Sequence, residues 1–182
     1  MLPHGSQSRR SPLPLKYVSI LLGFLVLSAS IAFAASSTLT GRASVIDGDT
    51  IEIAGERIRL NGIDAPESWQ RCHDESGRVY RCGKDAAFAL DDWLAASRPT
   101  RCEFVERDRY KRFVGTCFRA DGYEVNRWLV ETGNALDWER YSGGAYSDAQ
   151  ETAKASRAGI WQGAFELPCV VRAQRAKRKP NC

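Results

Sequence analysis

The chain has 182 residues, with 26 bases against 22 acids for a net charge of +4, 43% hydrophobic residues and six cysteines. Once an apolar leader is set aside, that length leaves room for one domain and excludes two, and so even a charge balance names no partner. None of the cysteines stands in a Cys-x-x-Cys pair, which argues against a zinc site.

The leader comes first. Arg9, Arg10 and Lys16 form a basic start, Tyr17 to Ala34 is an apolar run without a charge, and Ala32-Phe33-Ala34 offers a small-x-small cleavage site. Residues 1–34 therefore read as a signal peptide, with an uncleaved membrane anchor as the alternative, because 18 apolar residues sit at the lower edge of a bilayer span. Cleavage after Ala34 takes 34 of the 182 residues and three of the 26 bases, leaving 148 residues with 23 bases against 22 acids. The expected location is outside the cytoplasm, secreted or periplasmic, or membrane-anchored if the leader is retained.

From Ala43 the pattern is β. Strands are expected at Ala43 to Ile46, Thr50 to Ile53 and Arg57 to Ile63, joined by turns at Asp47-Gly48 and Ala54-Gly55. Asp64 to Cys82 is polar and reads as a long irregular loop. Ala86, Leu90, Trp93 and Leu94 then recur at helical spacing until Pro99. Two further strands, Arg101 to Glu106 and Arg112 to Arg119, flank a charged turn. Two helices follow, one carrying Val125, Trp128 and Leu129 and stopping at Gly133, the other running from Tyr146 to Ala158. Trp93, Trp128 and Trp161 are expected on core-facing helix surfaces.

Five short antiparallel strands with a helix after the third predict an α+β fold, a five-stranded OB-fold β-barrel with about three helices. The domain is expected over residues 40–165. Residues 166–182 read as a basic, cysteine-bearing tail, in which Arg172, Arg175, Lys177, Arg178 and Lys179 could touch phosphates but more simply form a solvated charge run.

An even cysteine set in an exported chain implies disulfides. Pairing sequence neighbours gives Cys72–Cys82, Cys102–Cys117 and Cys169–Cys182. The middle pair has a second support: a hairpin centred between Arg109 and Tyr110 places Cys102 opposite Cys117.

Three short segments could carry chemistry. Asp49 lies just past a tight turn and Asp64 at the exit of the third strand, so neighbouring strands can bring both carboxylates to one rim, where oxygen ligands suit a hard dication. Arg59 alternates with Ile58 and Leu60, so if those two face the core, Arg59 faces the rim. His4 lies in the leader and His73 in the loop, which leaves a histidine-based acid without support.

Asp47-Gly48-Asp49-Thr50, then Arg59-Leu60-x-x-Ile63-Asp64-Ala65-Pro66-Glu67, then Asp108-Arg109-Tyr110-Lys111-Arg112 together resemble the signature of the staphylococcal nuclease-like family. The similarity runs from about Ala43 to Trp161. The resemblance implies a calcium-dependent phosphodiesterase, with magnesium as the second choice of ion, that cleaves DNA and possibly RNA to leave 3′-phosphates. It implies calcium on Asp49, Asp64 and the backbone carbonyl of Ala65, water activated by Glu67, and phosphate clamped by Arg59 and Arg112. Arg109 and Tyr110 would touch a neighbouring phosphate and sugar, and Trp138 stands nearest to the family's nucleotide-pocket tyrosine. Lys111 departs from a frequent glycine, and the loop after Glu67 carries Cys72 and Cys82 in place of a lysine-rich segment. A monomer with no obligate protein partner is expected. The alternatives are a non-catalytic OB-type nucleic-acid-binding module and an envelope-anchored structural protein.

Overall fold

The computed structural model describes residues 37–182. The signal-peptide and anchor readings fall on residues 1–34, outside the described residues. Among the described residues no helix is long and apolar enough to cross a membrane.

The chain opens with strands β1 (Thr38–Gly41), β2 (Ala43–Asp47), β3 (Thr50–Ile53) and β4 (Glu56–Leu60), followed by the short β5 (Ile63–Asp64). Alternation decides which side chains go inward. Ile51, Ile53, Ile58 and Leu60 are buried while Glu52 and Arg57 between them are not. Burying each such aliphatic side chain contributes about 1.5–3 kcal/mol. The β2–β3 turn falls on Gly48 and Asp49, one residue later than the sequence predicted. Its cause is a register shift between Val45 and Asp47, which lets Asp47 pair with Thr50. Asp49 consequently sits inside the turn.

Next come β6 (Cys72–His73) and β7 (Val79–Tyr80), a small antiparallel pair within the stretch expected to be irregular. Helix α1 (Cys82–Ala95) buries Ala86, Leu90 and Leu94 at intervals of four. β8 (Thr100–Arg107) and β9 (Phe113–Phe118) then form a hairpin that sets Cys102 opposite Cys117. Helices α2 (Val125–Glu131), α3 (Glu139–Ser142), α4 (Ser147–Ala155) and α5 (Pro168–Arg175) complete the chain, with β10 (Leu136–Asp137) between α2 and α3 and a 3-10 turn at Gly159–Gln162.

The fold is α+β, as expected, but the sheet departs from the predicted five-stranded antiparallel barrel. It is a curled, mixed, six-stranded sheet in the order β1-β8-β9-β4-β3-β2. The extra strand is β1, which pairs with β8 ahead of the first strand read from sequence. The parallel pairing of β4 with β9, the one such pairing among the described residues, arises because α1 and β8 intervene and return the chain beside β4 in the same direction. Among the described residues five helices stand where three were expected, the additions being the one-turn α3 and the C-terminal α5. Residues 166–182, read as a tail, thus contain a helix that buries Val171 and Ala173.

Leu90, Leu94, Val125, Leu129 and Val130 close the core over the sheet's isoleucines. Asn126 is fully buried and satisfied: its carbonyl oxygen accepts from Cys117 N at 3.1 Å, and its amide donates to Asn61 O at 2.8 Å. That link ties α2 to the end of β4, where the site begins. Trp93 and Trp128 stack at 4.2 Å, half-buried against the core. The disulfides are Cys72–Cys82, Cys102–Cys117 and Cys169–Cys182, and no cysteine is free.

Candidate active site: a cleft of carboxylates and arginines

Two close approaches put the acids where they are. A β carbon on Gly48 would lie 2.8 Å from Ala65 Cβ, so only glycine in the β2–β3 turn lets the Asp64-Ala65-Pro66 strand exit pass beneath it. A β carbon on Gly83 would lie 1.7 Å from the carbonyl oxygen of Glu67, so the first turn of α1 rests directly on the Glu67 backbone. Glycine at both positions is a packing requirement.

Asp49 is almost fully buried. Its Oδ1 accepts from Arg59 at 2.7 Å and from the Thr50 hydroxyl at 3.1 Å, and its Oδ2 accepts from Ala65 N at 3.2 Å. Asp64, at the end of β5, is 5% exposed and accepts from the other arm of Arg59 at 3.3 Å. One guanidinium therefore bridges both carboxylates, as the outward-facing register of Arg59 on β4 allows. The Glu67 N–H donates to Gln70 Oε1 at 3.3 Å, and Gln70 Nε2 donates to Glu166 O at 2.8 Å. The backbone that carries Glu67 is thereby tied to the segment leading into α5.

Arg172, on α5, completes the cluster. It donates to Asp64 Oδ1 at 2.6 Å, to Asp64 Oδ2 at 3.1 Å and to Glu67 Oε1 at 2.9 Å. Its guanidinium carbon stands 5.6 Å from the Trp138 ring centre, and that of Arg59 stands 6.0 Å away.

Arg112 lies in the same cleft but on the opposing turn. Its Nε donates to Asp108 Oδ2 at 2.7 Å, while Asp108 Oδ1 accepts from Arg112 N at 2.9 Å and Tyr110 N at 2.8 Å. Arg109 and Arg112 both lie over the Tyr110 ring, which is 64% exposed. Lys111 takes a left-handed φ of 65°, the conformation a glycine adopts freely. The cleft has a volume of about 620 Å³ and is shared by Asp49, Arg59, Glu67, Arg109, Tyr110, Arg112, Trp138 and Arg172.

Electrostatics follow from crowding three acids beside two arginines. Burial, with the charges of Asp49 and Glu67, pushes Asp47 up to about 6 against the backbone hydrogen bond from Gly48. Burial and the Asp49 charge also hold Asp64 above its ordinary value, although Arg172 and Arg59 pull the other way. Burial alone would lower Arg172, but its ion pairs with Asp64 and Glu67 prevail and raise it.

The structure thus brings Asp49, Asp64, Arg59 and Glu67 into one cluster and sets Arg109, Tyr110, Arg112 and Trp138 around the same cleft. Ala65 contributes its N–H to Asp49. Sequence reasoning missed Arg172 as a site residue. Its only signal was the Cys169/Cys182 pair, which encloses it in a short loop and argues against a free tail.

Among the described residues no group of three His, Cys, Asp or Glu side chains could hold a metal ion as it stands. The chemistry of the donors nonetheless fits a hard dication. Asp49 and Asp64 are oxygen-only, buried, and already converge on one cation, the guanidinium of Arg59.

Residues 57–163 match the family model described as staphylococcal nuclease homologue. The chain is 62% identical over 148 residues to the succinoglycan biosynthesis protein ExoI of Rhizobium meliloti (strain 1021), covering 81% of this chain and 78% of that protein. It is 32% identical over 129 residues to an uncharacterized endonuclease of Escherichia coli O157:H7, covering 68% of this chain and 77% of the relative. Asp49 and Arg172 lie on either side of the matched span.

Proposed function

The chain belongs to the staphylococcal nuclease family, and from that premise we propose that it is an exported, metal-dependent nuclease that hydrolyses phosphodiester bonds of DNA and possibly RNA. The observation that carries this reading is the bridging of Asp49 and Asp64 by Arg59, with Glu67 beside them and Arg112 across the same cleft.

Asp49 and Asp64 would hold the ion, calcium before magnesium, and the ion when bound supplies positive charge to the phosphoryl oxygens. Arg59 grips a phosphate oxygen pair with its planar fork and balances the buried acids in the substrate's absence. Glu67 accepts the proton of the attacking water, its backbone fixed by Gly83 and Gln70. Arg112, oriented by Asp108, offers its remaining N–H groups to the phosphate and to the departing 5′-oxygen. Tyr110 and Trp138 present ring faces on either side, suited to sugar and base contacts. Export is supported by the leader's composition and by the pairing of all six cysteines. The Rhizobium meliloti relative is named for succinoglycan biosynthesis and the Escherichia coli one as an endonuclease. The site chemistry favours phosphodiester cleavage.

The test is incubation of the purified, oxidised protein with single-stranded DNA, duplex DNA and RNA in calcium, magnesium or chelator. Cleavage that needs a divalent ion is expected, and Glu67→Gln and Arg112→Ala should each lower kcat at least about a hundredfold with the fold intact. Binding without cleavage under every metal would leave a nucleic-acid-binding module in place of the enzyme.

A further inference from the structure

The nuclease reading assigns parts to Asp49, Asp64, Glu67, Arg59 and Arg112 and leaves unused an arginine of the cleft that is bound to two of those acids. Arg172 holds both oxygens of Asp64 and one oxygen of Glu67. A solubilising arginine would extend into water, whereas this side chain is 23% exposed and lies over the Trp138 ring. Its helix is docked by independent means. Val171 and Ala173 are buried, Gln70 holds the carbonyl of Glu166, Cys169–Cys182 closes the loop, and Arg140 donates to Asn181 Oδ1 at 2.9 Å. The contact is built into the fold.

Its consequence lies in the occupancy of Asp64. Oδ1 receives both Arg59 and Arg172, and Oδ2 receives Arg172. A dication approaching Asp64 meets a guanidinium already bound there, and the two positive charges repel at contact distance. Three carboxylates and two guanidiniums give the cluster a formal charge of −1, and without Arg172 it would be −2.

We propose that Arg172 is a further positioning residue of this site: a built-in counter-ion that orients Asp64 and Glu67 and that a divalent cation must displace from Asp64 in order to bind. The proposal rests on the reading of Asp49 and Asp64 as the cation's ligands. It makes α5, which lies beyond the span matched to the family, the element that sets the ion concentration at which the site is loaded.

Calcium titrated into the oxidised protein by isothermal calorimetry tests this without reference to hydrolysis. Arg172→Gln should bind calcium about tenfold more tightly than the parent. Arg172→Lys keeps the charge but not the two-pronged grip and should fall between them. In a cleavage assay the calcium needed for half-maximal rate should fall in parallel for Arg172→Gln, while kcat drops because Glu67 loses its partner. Unchanged or weaker calcium affinity in Arg172→Gln with a native circular-dichroism spectrum overturns the proposal. The same holds if neither parent nor variant binds calcium. If Arg172→Gln does not fold, unchanged affinity in Arg172→Lys is the overturning result. Calcium affinity that depends on residue 172 in a protein that cuts no nucleic acid would uphold this inference and sink the nuclease reading.

Discussion

Arg112 and Arg172 face the same cleft, and each is held by a carboxylate, yet they are held in opposite ways. Arg112 is fixed by Asp108, four residues earlier in its own turn, and that carboxylate also caps the turn's backbone. Arg172 is fixed by Asp64, 108 residues earlier, and by Glu67, and it reaches them only because α5 is docked and clipped. The first arginine is placed by local chain geometry, the second by tertiary structure. A local device survives loosening of the rest of the molecule, whereas a long-range one fails as soon as its element leaves.

The sharpest way to break that contrast is to remove the clip. Replacing Cys169 and Cys182 together by serine opens a loop with a sequence separation of 13 and should cost about 2–3 kcal/mol in urea unfolding. Amide exchange in Pro168–Arg175 should accelerate strongly while that of Asp108–Arg112 stays at its parental rate. Equal acceleration in both segments would mean that the turn leans on α5 and that the distinction is false.

The same contrast explains what could be read from sequence. Strand alternation at Ile51, Ile53, Ile58 and Leu60, the helix carrying Leu90 and Leu94, and the opposition of Cys102 and Cys117 all follow from local periodicity and register, and the structure has them. Strand and turn order place Asp49, Arg59 and Asp64 on one rim, whereas Glu67 could be named only through the resemblance of its motif to the family's. β1 escaped notice because Thr38–Gly41 is short and becomes a strand only by pairing with β8. The parallel β4–β9 pairing escaped because nothing within either strand records its neighbour. Arg172 escaped because its segment has the composition of a solvated run, and only docking reveals which of its bases turns inward.

A second prediction targets the local device. Asp108→Asn removes the charged acceptor of Arg112 and weakens the cap on the Tyr110 and Arg112 amides, and should cost about 1–2 kcal/mol. Its larger effect should be on cleavage, because Arg112 loses its orientation. Burial works against ionisation of Asp108, but the hydrogen bonds from Arg112 and Tyr110 outweigh it and hold the carboxyl below its ordinary value. A carboxyl that ionises more readily folded than unfolded stabilises the protein above the ordinary aspartate range, and that contribution fades as pH falls through it. The stability of Asp108→Asn should therefore decline less steeply than the parent's below about pH 4. A parallel decline would show that Asp108 is not what holds the turn in acid.

The smallest effect expected is at Lys111, whose left-handed φ of 65° is the one strained element of the local device. A non-glycine residue there costs about 1–2 kcal/mol, and glycine returns part of the difference through the entropy of the unfolded chain, about 0.5–1 kcal/mol. Lys111→Gly should therefore stabilise the protein by about 0.5 kcal/mol in urea unfolding. The backbone carbonyl that accepts from Arg107 at 3.0 Å and the N–H that donates to Asp108 O at 2.8 Å are retained, so the turn keeps its shape. The lysine's charge is exposed and has no part in holding Arg112, so kcat should stay within about twofold while KM for a polyanionic substrate rises slightly as one base leaves the rim. Destabilisation by Lys111→Gly would show that the lysine side chain itself braces the turn, and the Arg112 side of the cleft would then depend on more than its own backbone geometry.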